Sequence, residues 1–303
     1  MQKKKLKELN EQENIIDKLA PKGSKRRVVV NICTQVYTHP KQILHYMKPQ
    51  KIKRVFYYLF HDGIRGVSKV LDDRMLMGSD LKLELVVKKQ ITGNSIKDYP
   101  EIVFKGAENP LVSIIIPVYN QFDYTYACLR SIFENTGDIN YEIIIADDCS
   151  NDLTKNICEV VKGIHVEKTQ GQSYFLRNCN HAAKAAKGKY IVFLNNDTQV
   201  QENWLKPLVD LMERDSKIGM AGSCLVYPDG RLQEAGGILW KDGSAWNFGN
   251  GHNPAMPEYR YVKDVDYISG AAIMIRHDLW NELGGFDETF APAYCEDSDL
   301  AFS

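Results

Sequence analysis

The chain has 303 residues, 44% hydrophobic and 25% charged, with a formal net charge of −1, which is enough to bury a sizeable core in one large domain with an appendage. No apolar stretch approaches the length of a membrane span, and the Lys-rich start is not followed by a signal-peptide core; a cytoplasmic protein is expected, soluble or held peripherally at the inner face of the plasma membrane. Seven cysteines (Cys33, Cys128, Cys149, Cys158, Cys179, Cys224 and Cys295) form no CxxC pair and have no His at finger spacing, which favours reduced core thiols over a zinc site.

Residues 1–90 carry a net charge of +11 and residues 91–303 a net −12. Residues 1–20 are charged and helix-prone until Pro21–Ser24 breaks them, and Val28–Val36 has the look of a short strand. From Pro49 to Val87, Val55, Tyr58, Leu59, Ile64, Val67 and Val70 recur at helical spacing among basic residues. This largely helical N-terminal region suits either peripheral contact with an anionic membrane or packing on the next domain as a solvated arm. Residues 91–110 read as a linker. The main domain opens with the apolar run Val112–Val118, stopped by Pro117, with Asn120 as N-cap of a helix whose Phe122, Tyr126, Leu129 and Phe133 share one face. Glu142–Ala146 is a second strand, ending in Asp147-Asp148-Cys149-Ser150-Asn151-Asp152. A helix through His181–Ala186 follows, with Gly188 as its stop. Then come the strand Tyr190–Leu194, apolar segments at Gly219–Val226 and Tyr267–Ile275, and the glycine corner Gly284-Gly285-Phe286-Asp287. Strands alternating with helices predict an α/β fold, a mostly parallel central sheet flanked by helices.

In such sheets ligands bind outside the carboxyl ends of the strands. Tyr190–Leu194 runs there into Asn195-Asn196-Asp197-Thr198, a carboxylate with amide oxygens that suits Mg²⁺ or Mn²⁺ carrying phosphates, or else a capped turn. Acidic clusters recur at Asp147/Asp148 and at Glu296/Asp297/Asp299; alone, each fits a helix N-terminus as well. Trp240, Trp246 and Phe248, set among glycines, suit stacking on a sugar ring or packing beneath a loop.

Taken together, VSIIIPVYN, EIIIADDCSND, FLRNCNHAAKAAKGKYIVFLNNDT and YISGAAIMIRHDLWNELGGFDETFAPAYCEDSDL resemble the family 2 glycosyltransferases, inverting enzymes of the GT-A fold, across residues 111–303. The likeness is strongest to members that build bacterial cell-surface polysaccharides, including rhamnosyltransferase-like ones. It implies a UDP-, dTDP- or GDP-linked sugar donor, a glycan or lipid-linked acceptor and a Mg²⁺ or Mn²⁺ cofactor, with no nucleic-acid partner. By position, Pro117, Tyr119 and Asn120 would line the nucleotide pocket, and Asp148, alone or with Asp147, would accept from the base. Arg177 would lie near the phosphates. Asn195, Asn196 and Asp197 would form a DxD-like motif in which Asp197 holds the metal. Asp297 would be the general base, since an attacking hydroxyl must lose its proton. Gly270 and Ala271 would let the acceptor approach, beside Trp246, Glu296 and Asp299.

Relatives commonly continue the helix begun at Asp299 with an Arg where this chain has Ser303. A domain incomplete at its C-terminus, with Asp297 poorly supported, is therefore expected, and a catalytically impaired remnant or interaction module keeping the fold is the alternative. A sugar nucleotidyltransferase would want a Gly-rich basic loop after the first strand, and Pro117–Asn120 is not one.

Overall fold

The computed structural model describes residues 83–303. The expected strand at 28–36, the amphipathic stretch up to residue 82 and its membrane contact lie outside the described residues. Among the described residues, no helix is long and apolar enough to cross a membrane.

Residues 91–110 do not behave as a linker. They carry a short 3₁₀ turn at Ile96–Asp98 and strand β1 (Ile102–Val103), and Ile96, Tyr99, Ile102 and Phe104 are buried in the main core. Tyr99 stacks edge-on against Phe122 and Tyr126 at 4.8 and 4.9 Å. Four large apolar side chains in about ten residues are a packing signal; alternating with polar residues, they look like connecting chain. Just before them, Gln199 and Gln201 clamp the backbone. Val86 N–H donates to Gln201 Oε1 (2.9 Å), Lys88 N–H donates to Gln199 Oε1 (3.0 Å), and Gln199 Nε2 donates back to the Lys88 carbonyl (3.1 Å).

Strand β2 (Val112–Val118) is buried at every position, as a strand covered on both faces must be. It includes Pro117, which lies past Ile115, the last residue that pairs with the strand on one side. Helix α1 (Phe122–Asn135) and β3 (Tyr141–Asp147) complete a first βαβ unit. Next come β4 (Val161–Lys162), β5 (His165–Lys168), helix α2 (Tyr174–Ala183), β6 (Tyr190–Leu194) and helix α3 (Lys206–Arg214). Short strands β7 (Met220–Gly222), β8 (Leu225–Val226), β9 (Leu232–Glu234), β10 (Gly237–Leu239) and β11 (Ala245–Asn247) lead to β12 (Ala272–Arg276), α4 (His277–Leu283) and α5 (Glu296–Phe302).

The six-stranded sheet has the order β5-β3-β2-β6-β12-β7. The first four strands in that order are parallel, whereas β12 runs antiparallel to both its neighbours. Side chains alternate across it: Ile114, Ile116, Val192 and Leu194 pack under α1 and α3, and Ile115, Ile191 and Phe193 under α2, α4 and α5. Leu83–Asn250 and Pro254–Ser303 form one compact unit.

At the amino edge, Ser113 Oγ donates to Glu142 Oε1 (2.6 Å) and accepts from Gly188 N–H (2.8 Å). Helix α2 ends at Ala183, so Gly188 does not stop it. Its small size serves close approach: a Cβ there would sit 2.5 Å from Ser113 N. Six described cysteines are free; Cys128 and Cys179 are buried, but Cys149, Cys158, Cys224 and Cys295 are exposed rather than core thiols.

Candidate active site

Parallel strands β2, β3 and β6 all end at one edge, and β12, being antiparallel, begins there: Ala272 pairs with Leu194, and Asn195 N–H donates to the Ala271 carbonyl (3.0 Å). The reversed strand thus brings the Ser269–Ala271 turn to the edge that the others reach with their last residues. Local backbone strain concentrates here. Among the described residues, seven non-glycine residues have positive φ; of these, Asn120, Gln121 and Cys149 follow β2 and β3, Tyr174 opens α2 and donates to Asp148, and Tyr294 and Cys295 precede α5 (φ 56° to 82°). Such conformations cost about 1–3 kcal/mol each and cluster at functional sites.

After β2, Tyr119 is exposed and Asn120 does not cap α1. The residue preceding the helix is Gln121, without a side-chain cap. Asn120 Oδ1 instead accepts from Asn151 N–H (2.8 Å), while Asp152 Oδ2 accepts from Phe122 N–H (3.0 Å) and its Oδ1 from Thr154 N–H (2.9 Å). The loops after β2 and β3 thereby cap one another, which spacing along one segment does not reveal.

Asp147 and Asp148 stand at the end of β3 as expected, but both are buried. Asp147 Oδ1 accepts from Ser150 N–H (2.8 Å); its Oδ2 is buried without a hydrogen bond, and Lys168 Nζ lies 3.5 Å away as an ion contact only. Asp148 accepts from Thr169 Oγ1 (3.0 Å), Ser173 N–H (2.6 Å) and Tyr174 N–H (2.9 Å). Its carboxylate therefore pins segment 169–174 over the end of β3, leaving one unused lone pair on Oδ2 for a ligand N–H. Arg177 is engaged elsewhere: its Nε donates to Glu288 Oε2 (2.6 Å) in an exposed pair.

At the end of β6, Asn195, Asn196 and Asp197 form a turn. Asn196 Nδ2 is tied to Thr125 Oγ1 (3.0 Å), and Asp197 is exposed. Among the described residues, no group of three His, Cys, Asp or Glu side chains could by itself hold a metal. One exposed carboxylate beside neutral amide oxygens fits a Mg²⁺ or Mn²⁺ whose remaining ligands are phosphate oxygens and water; it does not fit an all-protein metal cage.

Asp297, partly buried in the first turn of α5, is held by Gly270 N–H on Oδ2 (2.9 Å) and Ser298 N–H on Oδ1 (2.7 Å). The expected poor support of Asp297 is not seen: α5 spans seven residues and two backbone N–H groups hold the carboxylate. Glu296 and Asp299 do not join it on one face. Residues one or two apart on a helix diverge. Glu296 is buried, its carboxyl pushed up mainly by that burial, one oxygen lacks a partner, and its charge acts on the core thiol of Cys179. Asp299 lines a separate cleft of about 620 Å³ with Asn180, Lys184 and Trp280. A Cβ at Gly270 would meet Phe175 and Asp297 only at ordinary contact distances; what the turn contributes is its N–H.

Trp246 and Trp240 project from the β10–β11 hairpin, both about half exposed, their rings 5.6 Å apart. Neither ring is buried, whereas Phe248, the third aromatic of the set, packs edge-on against Tyr259 at 5.3 Å. The hairpin is rooted at Gly237, whose N–H donates to the Tyr267 carbonyl (2.9 Å), two residues before the turn that holds Asp297.

The family model described as Glycosyl transferase family 2 matches residues 113–283, more than half of the chain. Over 126 residues the chain is 34% identical to the putative teichuronic acid biosynthesis glycosyltransferase TuaG of Bacillus subtilis, aligning 40% of this chain with 50% of that protein. Over 193 residues it is 28% identical to the O-antigen biosynthesis protein RfbC of Myxococcus xanthus, 60% of this chain with 15% of that one. The chain thus spans half or less of either relative. The fold is shared, at a TM-score of 0.52 and 20% identity, with the crystal structure of GalNAc-T7 with UDP, GalNAc and Mn²⁺, over 64% of this chain and 40% of that one.

Proposed function

The chain belongs to glycosyl transferase family 2 and has the GT-A fold, and on that premise we propose that it transfers a sugar from a nucleotide-diphosphate donor to the hydroxyl of a glycan or lipid-linked acceptor, with inversion, in bacterial cell-surface polysaccharide synthesis. The observation that carries this reading is the position of Asp297. Its carboxylate is fixed by Gly270 N–H at 2.9 Å, on a turn bonded through Ala271 to the Asn195–Asp197 turn. A base and a phosphate-facing carboxylate thereby sit on adjoining backbone.

In this scheme the nucleotide lies over the ends of β2 and β3, against Pro117, Tyr119 and Asn120. Its base N–H reaches the remaining lone pair of Asp148 as segment 169–174 adjusts. Asp197, with Asn195 and Asn196 beside it, would hold Mg²⁺ or Mn²⁺, which when bound neutralises charge on the departing diphosphate. Asp297 takes the proton of the attacking hydroxyl, and a single base opposite the leaving group implies inversion. Trp246 and Trp240 offer ring faces to the acceptor's apolar sugar surface. The O-antigen and teichuronic acid names of two relatives favour a surface polysaccharide as the product.

The test is turnover of UDP-, dTDP- and GDP-sugars with Mn²⁺ or Mg²⁺, with nucleotide binding measured alongside. We expect turnover of at least one donor, and metal-dependent nucleotide binding that EDTA and Asp197→Ala both weaken while the fold persists. Binding insensitive to both would remove the metal role of Asp197. Nucleotide binding without turnover of any donor would favour the impaired remnant or interaction module.

A further inference from the structure

Strand β9 ends in Glu234, a residue that no motif singles out and whose side chain is only 2% exposed. Buried carboxyls are ordinarily paired with a cation or bonded by several donors. Glu234 accepts from Ser269 N–H (3.3 Å), and no cation is among the groups that act on it. The next amide along the chain, Gly270 N–H, donates to Asp297. Consecutive peptide groups of one turn therefore carry two carboxyls, one of them the proposed base.

We infer that Glu234 is a positioning residue for that base: it anchors the Ser269 end of the turn while Gly270 holds Asp297, and the two carboxyls act as one coupled pair. This rests on the assignment of Asp297 made above. Burial is the chief cause that lifts the Glu234 carboxyl from 4.5 to about 7; the Ser269 N–H opposes the rise, and the charge of Asp297 adds to it. The other titratable groups that feel Glu234 are Tyr267, just before the turn and pushed up mainly by burial, and the exposed Cys224, between β7 and β8. Neither is a cation; Arg260 and Lys263 act on Cys224 but are not among the groups that act on Glu234 itself. Below the titration of Glu234, its carboxyl adds no charge beside the turn that holds Asp297. Above it, the adjoining Ser269 and Gly270 peptide groups face two carboxylates instead of one. Glu234 itself touches no substrate. The proton released by the acceptor hydroxyl goes to Asp297 and thence to solvent.

Two measurements on the full chain test this. In the first, side-chain carboxyl carbons are labelled and titrated by NMR in the wild type, Glu234→Gln and Asp297→Asn. A carboxyl titrating near pH 7 should vanish in Glu234→Gln and move to lower pH in Asp297→Asn. A Glu234 titration that ignores Asp297→Asn overturns the coupling. In the second, kcat and KM are followed against pH for the sugar nucleotide that the wild type turns over. Glu234→Gln keeps an acceptor oxygen for Ser269 N–H, so it should flatten the kcat profile through pH 7 with donor KM unchanged. Glu234→Ala, which removes the anchor, should lower kcat by about tenfold to a hundredfold. Equal losses in the two variants, or a wild-type pH profile in Glu234→Gln, overturn the positioning role. Failure of the wild type to turn over any donor sinks the assignment of Asp297 instead, and with it this role, while the NMR titration still decides whether the pair is coupled.

Discussion

At the scale of single residues, the site rests on a few carboxyls whose surroundings give them different work. Asp297→Asn keeps the shape and the hydrogen bond from Gly270 but cannot accept a proton, so transfer should fall by about a hundredfold to ten-thousandfold with donor affinity nearly unchanged. Asp299→Asn, on the other face of α5, should cost far less; the reverse ranking would exchange their roles. Glu234 should also leave a mark on stability. Its folded pKa of about 7 exceeds its ordinary 4.5, so the folded chain holds the proton more tightly. Stability therefore falls as pH rises from about 4.5 to about 7. Glu234→Gln cannot ionise. Its Tm should match the wild type below this window and exceed it above, by at most about 3 kcal/mol of stability, as thermal melts at the two ends would show. Asp197 and Asp297 stood out in the sequence because each lies in a motif after an apolar segment, and the fold brings the turn of one and the anchor of the other to the same sheet edge. Glu234 did not: a carboxyl in a three-residue strand has no pattern, and only the fold shows that it is buried beside Ser269. Arg177 was legible as a cation, but its partner Glu288 is 111 residues away.

At the scale of elements, β2, β3 and β6 were visible as apolar runs, because burial on both faces leaves no polar alternation to blur them; the edge strand β5, whose four residues are polar apart from Val166 and none fully buried, was not. Caps and stops were less visible. Asn120 looks like an N-cap when read locally, yet Asp152 from the neighbouring loop satisfies the first amide of α1, a bond across 30 residues. Two alternatives were open for Trp240, Trp246 and Phe248: Phe248 packs against Tyr259, whereas both tryptophans are about half exposed, which leaves stacking on a sugar as the proposal for them. Trp246→Ala should accordingly weaken acceptor use several-fold, seen as a raised acceptor KM, and leave nucleotide binding and Tm close to the wild type. A large loss of Tm would mean that the ring packs rather than binds.

At the scale of the whole molecule, the unit that carries the sheet includes residues well before the sheet's first strand. A chain starting at Leu83 keeps the glutamine clamp and the buried Ile96, Tyr99, Ile102 and Phe104. One starting at Gly106 loses them. Each large apolar side chain contributes about 1.5–3 kcal/mol on burial, against about 5–15 kcal/mol for a whole domain. The shorter chain should therefore unfold at markedly lower denaturant or fail to fold, and equal midpoints would show that residues 83–105 are dispensable. The bond from Asn195 N–H to the Ala271 carbonyl has a kinetic consequence. It ties the Asn195–Asp197 turn to the turn whose Gly270 N–H holds Asp297, so on the proposed reading a diphosphate that settles the first also steadies the second. On the proposed reaction the order of arrival is then built into the backbone: the donor enters first and completes the acceptor's seat, and the spent nucleotide leaves last.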